Sequence, residues 1–120
     1  MSWKNEVREL FAAHKQARDT LIEISKSQEE GWQTKYGRIR GELRNSLDAL
    51  ETAVDRQRRL HSEPVIDRYH DAIVAFRKVL ENHHARWPVL IIKDRGPDYQ
   101  ESMKAVDAGF TEVMRQTENL

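Results

Sequence analysis

The 120-residue sequence contains no cysteine, which excludes disulfides, thiolate metal sites and a cysteine nucleophile. Three prolines and five glycines are too few for a loop-rich or disordered chain. Net charge is absent as well. Twenty basic side chains balance 20 acidic ones, and that neutrality argues against a surface for duplex nucleic acid. The longest aliphatic run is Val89-Leu90-Ile91-Ile92, far short of a membrane span, and the opening Met1-Ser2-Trp3-Lys4 is not that of a signal peptide. These absences lead us to expect a cytoplasmic protein with no membrane partner.

What is present is patterned. Hydrophobic residues make up 38% and charged residues 33%, a balance suited to helices that bury one stripe and keep the rest wet. The length predicts a single helical domain over 1–120. Charge is segregated within the neutral total: residues 31–61 carry seven Arg or Lys against four acids, residues 96–120 two against five. Self-association would use such asymmetry as readily as an outside partner would.

Four stripes follow the three–four spacing of a helical seam. The first runs Trp3, Val7, Leu10, His14, Ala17, Leu21, Ile24, with Ser2 as a candidate N-cap. Its helix, about 3–28, fades through six polar residues into Gly31, a natural C-terminal stop. The second, about 32–60, carries Trp32, Tyr36, Ile39, Leu43, Leu47, Leu50, Val54 and Leu60, interrupted by Gly37 and Gly41. The third, about 63–87, follows a break at His61-Ser62-Glu63-Pro64 where Ser62 can cap; it shows Ile66, Tyr69, Ile73, Phe76, Leu80, His83 and Trp87. The last, about 98–118, opens on Asp98 and Glu101 in capping-box spacing and carries Tyr99, Met103, Val106, Phe110, Val113 and Thr117. The connection at 88–97 reads as a short apolar cover followed by a turn.

The predicted fold is all-α, an antiparallel four-helix bundle running up-down-up-down, with a hairpin at Gly31. The alternative is a long-helix coiled-coil dimer. The heptad phase crosses Gly31 with only a four-residue stutter, so residues 3–60 could form one rod of about 85 Å.

His14 and His83 fall on these seams and are the first candidates for chemistry. A di-iron bundle needs Glu-x-x-His on two helices and a further glutamate from each of the others. Here Glu81 and His84 supply that spacing once, and Asp67 with His70 is a poorer version. In an up-down bundle His83 would lie about 12 Å higher than His14, too far to share one ion. A metal- or haem-binding bundle using His14, or Glu81 with His83 and His84, is therefore the runner-up. The first reading expects no metal and no cofactor.

Arginine and histidine recur at a second suggestive spacing. Arg56 to His61 and Arg77 to His83 resemble the Arg-x(4–6)-His motif of helical HEPN ribonucleases. That resemblance implies metal-free RNA cleavage, with histidine as acid or base and arginine stabilising the phosphorane, as in an RNA-cleaving toxin. It covers six or seven residues at each place and is the third reading.

The favoured reading is a non-enzymatic protein-interaction module: a regulator, adaptor or assembly subunit that forms a homodimer and meets another protein. Surplus apolar width beyond a minimal seam, at Phe11, Val65, Val79 and Met114, motivates it. The expected interaction surface is Arg40, Arg44, Arg56, Arg58 and Arg59 together with Phe11 and Met114.

Overall fold

A computed structural model of the chain describes residues 2–88 and 96–120. Residues 89–95, where the sequence predicts the apolar cover, lie outside the described residues. Four helices follow one another: α1 Trp3–Ser27, α2 Trp32–Leu60, α3 Pro64–Arg86 and α4 Pro97–Glu118. No strand occurs among the described residues. The fold is all-α, and the helices occupy the four heptad stripes.

The break between α1 and α2 excludes the continuous rod. Gln28 turns into the left-handed region at φ 44°, and its N–H donates to Ile24 O at 3.1 Å, closing the helix. Gly31, at φ 77°, supplies a second left-handed residue, and Trp32 N–H donates to Glu29 O to open α2. The stop thus falls at Gln28, three residues before the glycine the sequence nominated.

Helix starts divide by chemistry. Ser2 caps α1, accepting the Asn5 N–H at 3.3 Å. Neither Ser62 nor Asp98 caps its helix. Pro64 and Pro97 each take the first helical position, where a missing N–H costs nothing, and each proline forces the preceding residue into extended backbone. Glu63 and Gly96 therefore become the caps, without side-chain bonds. Asp98 sits in the first turn of α4, where its charge suits the helix dipole.

The chain divides into two compact units, Met1–Ala53 and Val54–Leu120. In the first, α1 and the greater part of α2 form an antiparallel pair across the 28–31 turn. Val7, Phe11, His14, Ala17 and Leu21 are buried on α1; Trp32, Tyr36, Ile39, Leu43, Leu47, Leu50 and Ala53 are buried on α2. Burying a side chain of this size is worth about 1.5–3 kcal/mol, so the stripe outweighs the weak propensity of the α2 glycines.

In the second unit, α3 and α4 run antiparallel: Tyr69 meets Thr117, Phe76 meets Phe110 and His83 meets Ser102. The Phe76 and Phe110 rings meet edge to face, with centroids 6.2 Å apart. Thr117 Oγ1 donates to Val113 O, so the buried Tyr69 hydroxyl is the donor in the Tyr69–Thr117 bond. Burial pushes the Tyr69 phenol up from 10.0 to about 12. On the exposed face of α4, Arg115 lies one turn from Glu112 and holds its carboxyl down at about 2.

Leu60 departs from the predicted seam. It is 66% exposed, while Gln57, one turn earlier, is buried in its stead. The α2 stripe therefore runs out into solvent at its C-terminal end. Among the described residues, no helix is long and apolar enough to cross a membrane.

Candidate functional site

Each compact unit carries one buried histidine, and each histidine bonds a serine on the facing helix. His14 sits midway along α1, 1% exposed. Its Nδ1 lies 3.2 Å from Leu43 O and 3.0 Å from Ser46 Oγ. Ser46 donates its hydroxyl hydrogen to Leu43 O at 2.8 Å, so its oxygen is left to accept. Both neighbours of Nδ1 are then acceptors, and the network assigns Nδ1 as the protonated nitrogen. Nε2 is itself buried. The ring acts as a polar rivet between α1 and α2, closed to a ligand arriving from solvent.

His83 is built similarly at the far end of α3. It is 3% exposed, with Nδ1 2.6 Å from Ser102 Oγ on α4. Tyr99 packs beside it with ring centroids 5.2 Å apart, and Trp87 meets Tyr99 edge to face at 5.3 Å. His84 is half-buried next door, its ring centroid 6.0 Å from that of His83. Glu81 is exposed and turns back to Arg77, 3.4 Å away. Among the described residues, no group of three or more His, Cys, Asp or Glu side chains is placed to hold a metal ion.

The arginines nominated for the interaction surface separate. Arg40 is buried, with its guanidinium 5.7 Å from the centroid of the Tyr36 ring, a cation–π contact inside the first unit. Arg44, Arg56, Arg58 and Arg59 are exposed. Phe11 is buried and belongs to the core, while Met114 is half-buried on α4. Residues one helical turn apart lie on one side of a helix without being aligned, because four residues overshoot the 3.6-residue turn. The α2 stripe is centred on Ile39 and Leu43, which brings Arg40 inward and leaves Arg44 outside.

A four-residue polar constellation lies where α2 hands over to α3, within the second unit. Asp55 and Arg58 stand one turn apart on α2, and Asp67 and His70 stand one turn apart on α3. They pair crosswise. His70 Nε2 is 2.9 Å from Asp55 Oδ1, and Arg58 Nε is 3.2 Å from Asp67 Oδ1. Arg58 Nη1 also reaches His70 Nδ1 at 3.4 Å, linking all four side chains into one chain of contacts. The carboxylate can only accept, so Nε2 carries the hydrogen, and Nδ1 accepts from the guanidinium.

This cluster was not nominated from sequence. Asp67 and His70 stood out only as neighbours on one helix, and the structure interposes Arg58 between them. Arg58 and His70 are an Arg–His pair that meets. Of the pairs spaced like the ribonuclease motif, Arg77 bonds Glu81 and His83 bonds Ser102, while Arg56 and His61 are both exposed at the corner. A usable signal exists in hindsight: with Pro64 as first helical residue, the acid–base pair 55/58 and the acid–histidine pair 67/70 face each other across a short turn.

Around the corner the chain is exposed from Arg58 to Pro64. Leu60 protrudes there beside Arg59, and Arg59 makes no ion pair among the described residues. No family model, curated protein or solved structure matches this chain.

Proposed function

We propose that the chain is a non-enzymatic helical interaction module that self-associates and docks a further protein through the end of α2. The observation that carries this reading is Leu60: an aliphatic side chain on the α2 stripe, 66% exposed, flanked by the exposed guanidinium groups of Arg56 and Arg59. Apolar anchors rimmed by arginine are the composition of protein-binding patches, because the leucine gains by leaving water and the arginines orient the partner. The two seam histidines fit a scaffold role in this scheme, each bonding one helix of a pair to the other.

Sedimentation equilibrium over a wide concentration range tests it. Wild-type chain is expected to associate as concentration rises, and Leu60→Glu to weaken that association at least tenfold, the effect of about 1.4 kcal/mol. A chain that stays monomeric throughout would overturn the self-association, and dimers indifferent to Leu60→Glu would remove the α2 end from the interface.

A further inference from the structure

His70 is held between groups of opposite charge, and its two ring nitrogens do opposite jobs. Nε2 donates to Asp55 at 2.9 Å, whereas Nδ1 accepts from Arg58 at 3.4 Å. Asp55 and Arg58 from α2, with Asp67 of α3 behind Arg58, are the charged groups that meet it among the described residues. The His70 side chain is 15% exposed, so protons from solvent can reach it.

We propose that His70 is a proton-operated exchange point at the α2–α3 corner. With the ring neutral, Asp55, His70, Arg58 and Asp67 form one continuous chain joining the two helices. A solvent proton can add only at Nδ1, because Nε2 already carries one. Nδ1 then changes from acceptor to donor and the ring becomes a cation, so it can no longer receive the Arg58 N–H and instead repels the guanidinium. The Asp55 contact persists as an ion pair. Arg58 retreats to Asp67, its partner at 3.2 Å. The four-membered chain resolves into two separate cross-helix ion pairs, Asp55 with His70 and Asp67 with Arg58.

The distances decide which link gives way. The Asp55 bond is of ordinary length and gains charge assistance, while the Arg58 bond at 3.4 Å is already long for a nitrogen donor. Protonation of the ring is what drives the exchange. Its consequence is local and electrostatic: the corner gains one positive charge and the Arg58 side chain, 50% exposed, swings free of α3's histidine next to Arg59 and Leu60. This inference does not depend on the docking role of Leu60, since it concerns the free chain alone.

Nitrogen-15 NMR of the intact chain tests it directly. At neutral pH His70 is expected as the Nε2–H tautomer. As pH falls, the Arg58 Nε resonance should move along the His70 titration curve, while that of Arg44, exposed elsewhere on α2, should not follow it. In His70→Gln, whose amide can still donate to Asp55 but cannot take up a proton, the Arg58 movement should be lost. An Nδ1–H tautomer at neutral pH would overturn the proposal, as would an Arg58 resonance that ignores the His70 titration or one that moves equally in His70→Gln.

Discussion

Gly109 on α4 stands so close to Phe76 on α3 that a methyl group at 109 would lie 3.0 Å from Phe76 Cδ1 and 3.3 Å from Phe76 Cα. The ring could turn aside, but the backbone of α3 could not. Gly41 on α2 is the opposite case, with nothing within 4 Å of an added Cβ. Both glycines are helical and both cost helix propensity, yet only one of them is needed for packing.

The two substitutions should therefore differ in sign. Gly109→Ala is expected to destabilise the chain by about 1–3 kcal/mol through overpacking, even though alanine is the better helix former. Gly41→Ala should stabilise it by up to about 1 kcal/mol. Urea unfolding followed by circular dichroism reads both. A stabilising Gly109→Ala would mean that α3 and α4 part more easily than this contact implies.

How far the sequence carried this description depends on what each residue was asked to report. Three–four spacing located all four helices, because a buried stripe must recur with the helical period whatever it packs against. It could not say how wide each stripe would be, and so Phe11 and Arg40 look like surface residues on paper and are interior in the fold. Neither Ser62 nor Asp98 caps, for one reason: Pro64 and Pro97 claim the first helical position, and the cap falls on the residue before each proline. The Asp55–Arg58–Asp67–His70 cluster was out of reach, since it joins two helices and needs the register of the turn between them. Spacing along one helix reports neighbours on that helix only.

Tyr69 gives the chain a sensitivity to alkali. Its phenol, raised from 10.0 to about 12 in the fold, holds its proton more tightly than it would in the unfolded chain. The stability linked to that difference is complete below pH 10 and disappears as pH climbs through about 12. Its ceiling is about 2–3 kcal/mol from a shift of that size. Tyr69→Phe should cost about 1 kcal/mol at neutral pH by removing the bond to Thr117, whose own hydroxyl keeps Val113 O. The variant should then lose less stability than wild type between pH 10 and 12. Unfolding free energies for the pair across that range settle it; parallel curves would mean that the Tyr69 hydroxyl ionises in the fold without penalty.

The turn between α1 and α2 makes the last prediction, because its two left-handed residues are chemically unlike. Gln28 adopts φ 44° with a side chain that clashes in that region, and Gly31 adopts φ 77° with none. Only the glycine is matched to its conformation. Gln28→Gly should therefore stabilise the hairpin by about 1 kcal/mol, since it relieves the strain of a left-handed side chain at a helix C-cap. Gly31→Ala should destabilise it by about 1–2 kcal/mol for the same reason in reverse, although open space surrounds the position. If Gly31→Ala were neutral, steric room rather than backbone conformation would govern the turn. Thermal melts of the single variants and the double variant would read the two terms and the coupling between them, since residues this close in one turn do not simply add.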